Sequence, residues 1–86
     1  MAATGSFDEF YRRHTDEIRR SLTLTLGSAD LATEATAEAM ARAYARWSTV
    51  GSYDRPAAWV HRVALNWATS RFRKQRRETL TDPTAV

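Results

Sequence analysis

Residues 55–77 read RPAAWVHRVALNWATSRFRKQRR, with seven Arg or Lys side chains and no Asp or Glu. Pro56 suits the first turn of a helix, with Asp54 or Arg55 as its cap. No Gly or second Pro interrupts the stretch after that. At 100° per residue Arg62, Asn66, Thr69, Arg73 and Arg76 fall on one stripe. Trp59, Val60, Val63 and Trp67 fall beside it, and Leu65, Ala68 and Phe72 make a second apolar strip. The spacing therefore predicts a helix over 56–77, wedged between two others and about 35 Å long. A solvated helix tolerates both charge signs, so one of a single sign with embedded aromatics asks for a polyanionic partner. Cations on the stripe suit phosphates, while Asn and Thr can read base edges or sugars.

The rest of the chain reads as support for that helix. Its 86 residues, 43% hydrophobic with nine aromatics, make one small domain with a modest core. The net charge of +3 hides a split. Residues 1–54 carry −2, residues 55–77 carry +7 and residues 78–86 carry −2. With no cysteine, disulfides and thiolate chemistry are excluded. No apolar run approaches a membrane span and the N-terminus has no apolar core of a secretory leader, so a cytoplasmic protein without membrane insertion is expected.

Going back along the chain, residues 1–6 read as a flexible leader whose last residue, Ser6, caps a helix in a Ser6–Glu9 box. Phe7, Phe10, Tyr11, His14, Ile18, Leu22 and Leu26 recur at helical steps, which predicts a helix over 7–26 stopped by Gly27. Ser28 caps the next, over 29–47, whose inward stripe is Ala32, Ala35, Thr36, Ala39, Met40, Ala43, Tyr44 and Trp47. Its outer face presents Asp30, Glu34, Ala37, Glu38, Ala41 and Arg42, with Glu38 and Arg42 spaced for an i,i+4 pair. Residues 48–54, STVGSYD, form the internal loop, with Gly51 as its flexible point. Residues 78–86 read as a tail or the start of a linker. The expected architecture is all-α, a three-helix bundle with two short connections.

Neither a nucleophile–base set nor a metal-ligand cluster accompanies these features, so neither an enzyme, a metal site nor a cofactor is expected. His14 reads as a core-edge residue, and His61 lies away from the basic stripe. On residue types alone Trp47, Trp59 and Tyr53 close the core around the loop, and Glu34 and Glu38 form a solvated face open to a basic partner helix.

The order of these features resembles region 2 of the extracytoplasmic-function sigma factors of bacterial RNA polymerase. The segment AAWVHRVALNWATSRFRKQRR is similar to the family's T-W-L-x-R-I-A-x-N-x-x-x-D-x-x-R-R, with Trp59, Arg62, Ala64, Asn66 and the basic end in step. SADLATEATAEAMARAYARW resembles A-D-A-E-D-L-V-Q-E-T-F-x-R-A-W, with Glu38, Arg42, Ala43 and Tyr44 in step and Glu34 where Asp is usual. Thr36-Ala37 stands where the family has V-Q, and Ser70 where it has Asp.

This resemblance implies a domain over 7–77 that binds core RNA polymerase by setting Glu34, Ala37, Glu38 and Met40 against the clamp helices of the β′ subunit. It implies that Ser48, Thr49, Val50, Gly51, Ser52 and Tyr53 capture a flipped base of the promoter −10 element, on the single-stranded non-template strand. That reverses the core-closing reading of the loop. Arg62, Asn66, Arg73, Arg76 and Arg77 would support DNA recognition and melting. An anti-sigma factor is a further possible partner. A complete member continues into a second helical domain (region 4), so the chain is expected to be a piece cut near a domain boundary rather than a free-standing protein. The alternatives are a helical protein-interaction module, acting as a sigma-like regulator or decoy without DNA melting, and a generic three-helix binder of duplex DNA.

Overall fold

The computed structural model describes residues 6–81, apart from the side chains of residues 75 and 78–81. The leader 1–5 and the end of the tail, 82–86, lie outside the described residues. Four helices follow in order: α1 (Phe7–Leu26), α2 (Ala29–Ala45), α3 (Trp47–Val50) and α4 (Pro56–Thr81). No strand occurs among the described residues.

Local chemistry starts and stops each helix. The Ser6 hydroxyl accepts from the Glu9 N–H at 3.1 Å, and the Ser28 hydroxyl accepts from Leu31 N–H at the same distance. Each satisfies one of the orphan donors of a first helical turn. Gly27 ends α1 in the left-handed region, at φ 71°, and its N–H donates to the Thr23 carbonyl at 2.9 Å. Arg55 fills the cap position of α4, its carbonyl accepting from the N–H groups of Ala58 and Trp59.

α2 lies at the centre, packed along α1 on one side and α4 on the other, while α1 and α4 touch much less. Small residues allow this. Ala32, Ala35, Ala39 and Ala43 are completely buried in α2 and meet Ala64 and Ala68 of α4 in the same core. Phe10, Ile18 and Leu22 of α1, Val50 of α3 and Val60 of α4 supply the bulk. A fully buried leucine or valine of this kind stabilises by about 1.5–3 kcal/mol. Thr36 is also buried, and its hydroxyl donates to the Ala32 carbonyl at 2.7 Å, so it brings no unpaired polar atom into the core. His14 is half-buried with its ring 4.8 Å from that of Phe10, and His61 meets the Ser21 hydroxyl at 3.2 Å across α4 and α1.

Five sequence expectations need correction. α2 ends at Ala45 rather than residue 47, because Arg46 leaves helical geometry at φ −119°, ψ 27° and the chain restarts as α3. The bundle therefore holds a fourth, short helix inside what reads as a loop. α4 runs to Thr81 rather than residue 77, since no Gly or Pro intervenes before Pro83. Tyr44 is not inward. It is 68% exposed, on the rim of α2 with its ring edge-on to Phe7 at 5.2 Å. Phe72, expected in a buried strip, is 57% exposed because α4 there has run past the helices that cover its earlier turns.

Candidate nucleic-acid interface

The segment after α2 is more ordered than its composition promises. Val50 and Gly51 N–H groups donate to the carbonyls of Arg46 and Trp47 at 2.8 Å, closing a helical turn. The Ser52 hydroxyl then donates back to the Thr49 carbonyl at 2.7 Å. Gly51 is buried and right-handed (φ −64°, ψ −18°), not a flexible point. A Cβ at this position would sit 2.8 Å from both the Trp47 ring and the Trp47 carbonyl, so glycine is required for close approach. Val50, 1% exposed, is likewise a core residue. Two of the six expected base-capturing residues thus face inward, and Ser48, Thr49, Ser52 and Tyr53 are the exposed ones.

Of these, Tyr53 reaches α4. Its ring lies 6.4 Å from that of Trp59, inclined at 56°. Together with Arg55, Ala58 and Arg62 the two rings line an open cleft of about 430 Å³. Tyr53 is 43% exposed and Trp59 half-buried, so an apolar face is available beside two guanidinium groups. A planar, electron-rich ligand carrying negative charge fits such a wall, by stacking and by cation–π and phosphate contacts. On the other side of Trp59 a second concavity, about 370 Å³, is lined by Arg42, Ala45, Arg46 and Val63. Sequence reasoning places Trp59 wholly in the core and leaves Arg42, Arg46 and Arg55 out of the interface. For Trp59 and Arg55 the signal is an aromatic residue inside the one-sign stretch; Arg42 and Arg46, outside that stretch, carry none.

The expected stripe of α4 is outward: Arg62, Asn66, Arg73, Arg76 and Arg77 are exposed and Thr69 is half-buried. Its apolar strips are the two edges of a single buried face centred on Val60, Ala64 and Ala68. Trp59, Val63 and Trp67 form one edge and Ala57 and Leu65 the other.

The acidic face of α2 is also outward. Glu34 and Ala37 are exposed and Glu38 is half-buried. Glu38 accepts from the Arg42 Nε at 3.1 Å, the i,i+4 pair that the spacing predicts. Glu34 has a less obvious neighbour, Arg71 of α4, at 3.8 Å. Met40 does not belong to this surface. It is 2% exposed and lies at the edge of the buried face of α2 with Thr36, Ala39 and Ala43, where the inward stripe of the sequence also places it.

Among the described residues no group of three His, Asp or Glu is placed to hold a metal, and no helix is long and apolar enough to cross a membrane. What the fold and its surface define is an all-α binding domain with a basic face on one helix and an acidic face on its neighbour. The Sigma-70 region 2 family model matches residues 10–78, and the chain belongs to that family. Domains of this family act in transcription initiation, binding core RNA polymerase and promoter DNA, and work as transcription factors rather than enzymes. No curated protein and no solved structure matches the chain.

Proposed function

We propose that this domain belongs to the extracytoplasmic-function group and acts through two surfaces. Glu34, Ala37 and Glu38 dock on the β′ clamp helices of core polymerase. The Tyr53–Trp59 cleft takes a flipped base of the −10 element from the non-template strand. Arg62, Asn66, Arg73, Arg76 and Arg77 hold the backbone beside it and favour the melted promoter. The observation that carries this reading is the cleft itself: two aromatic rings, centroids 6.4 Å apart and inclined at 56°, between Arg55 and Arg62 at the head of a helix with a basic outer stripe. Stacking accepts an unpaired base at modest cost and cannot reach one inside a duplex. A melted strand is therefore the preferred ligand over the duplex that a generic helical DNA binder would take.

Ser48, Thr49 and Ser52 supply hydroxyls near the exposed end of the segment, where base identity would be read. Val50 and Gly51 act indirectly, by fixing the turn. Co-purification with core polymerase, followed by selection from a −10 oligonucleotide library, tests the reading. Retention on the polymerase and enrichment of single-stranded or forked sequences are expected. Retention without any DNA selection would instead favour the regulator or decoy, and a preference for duplex would favour the generic binder.

A further inference from the structure

The seam between α2 and α4 continues past the Tyr53–Trp59 cleft. Trp59, Val63 and Trp67 succeed one another at four-residue steps along α4, so the two indoles are separated by about 12 Å of helix. Trp67 is half-buried and lines a further open concavity, about 250 Å³, with Ser70, Arg71 and Lys74. The Arg71 guanidinium lies 5.4 Å from the centre of the Trp67 ring. This second site repeats the chemistry of the first: an aromatic face, two cations and a hydroxyl. Its arginine differs in one respect, for it is also 3.8 Å from Glu34, a carboxylate of the face assigned to a cationic partner.

Resting on the proposed function above, we propose that Trp67, Ser70, Arg71 and Lys74 form a second single-stranded DNA subsite, for one phosphate and its base, which Glu34 holds in reserve. In the free domain Glu34 occupies Arg71. A cationic partner group that takes the Glu34 carboxylate frees Arg71 for phosphate, and a phosphate on Arg71 frees Glu34 for the partner. The two ligands therefore strengthen each other by the same factor, as linkage requires. Glu38 and Arg42 repeat the arrangement one turn along, since Arg42 is paired at 3.1 Å and also lines the concavity beside Trp59. Both members of the Glu34–Arg71 pair are about half exposed (side chains 54% and 49%), so the latch is weak enough to exchange.

A double-mutant cycle tests this with the whole chain and a fluorescein-labelled, mixed-sequence single-stranded deoxyoligonucleotide titrated over a range of salt. Glu34→Gln should tighten binding about two- to fivefold, the range open to a half-exposed pair. Arg71→Gln should weaken binding and flatten the slope of log K against log salt by about 0.7. In the Arg71→Gln background the gain from Glu34→Gln should disappear. An equal gain in both backgrounds would mean that Glu34 acts only as a distant negative charge, and would overturn the latch. An unchanged slope in Arg71→Gln would overturn the subsite. In either case, oligonucleotide binding that is still weakened in Tyr53→Ala leaves the proposed function standing. If no variant binds the oligonucleotide, the subsite falls, while the proposed function is decided by the selection on core polymerase.

Discussion

At Gly51 a single hydrogen in place of a methyl group decides whether the turn can close. Trp47 leaves 2.8 Å where a Cβ would stand, and both contacting groups, a ring and a backbone carbonyl, are held by the core. Gly51→Ala is therefore expected to destabilise the domain by about 1–3 kcal/mol, read as a lower urea midpoint. Because the Tyr53 N–H donates to the Val50 carbonyl of the same turn, at 3.1 Å, the same substitution should disturb DNA binding through the position of Tyr53. Gly27 is a different case, with open space around it and only its left-handed backbone to protect. Tyr53 tests the site rather than the fold. Exposed and outside the core, it can be truncated to Ala with little change in melting temperature. Binding to single-stranded DNA should weaken by about 1–3 kcal/mol, the worth of one stacked base, in a fluorescence anisotropy titration. At this scale the sequence is a partial guide. Tyr53, Arg62 and Asn66 are recognisable by type and position, whereas Val50, Gly51 and Met40 belong to the surface by motif and turn inward in three dimensions.

The element that makes the domain possible is α2, and its alanines do two jobs. On the inner side Ala32, Ala35, Ala39 and Ala43 let α1 and α4 approach closely. On the outer side Ala37 and Ala41 leave the face low between Glu34, Glu38 and Arg42. Ala39→Leu should accordingly destabilise by about 1–3 kcal/mol in chemical denaturation, since three more carbons must displace packed neighbours. Glu34→Lys with Glu38→Lys acts on the other side. Both side chains are partly solvated and outside the core, so circular dichroism should be unchanged while co-purification with core polymerase is lost. Retained co-purification would remove the docking role from this face. Helical periodicity alone makes the inner stripe readable, with Tyr44 as the exception. A period of 3.6 residues assigns direction, but exposure at the edge of a face depends on how far the neighbouring helix reaches.

For the whole molecule, charge is the organising quantity. A basic outer stripe on α4 faces away from a core whose other flank carries Glu34 and Glu38, so one ligand of each sign can bind at once. If Arg62, Arg73, Arg76 and Arg77 each meet a phosphate, log K for single-stranded DNA should fall with log salt at a slope of about 3. A salt-independent affinity would exclude backbone contact by the stripe. The sequence by itself determined the all-α class, the three long helices, the serine caps of the first two and the one-sign face. These are local properties, written in side-chain period and in the hydrogen-bonding needs of helix ends. Only the tertiary structure decided that α3 exists, that Val50 is core, that Tyr53 meets Trp59 across a turn, and that Glu34 is held by Arg71, 37 positions later in the chain. The last of these depends on how closely α2 and α4 approach, a distance set by the alanines of α2 acting together, which no single window of sequence contains.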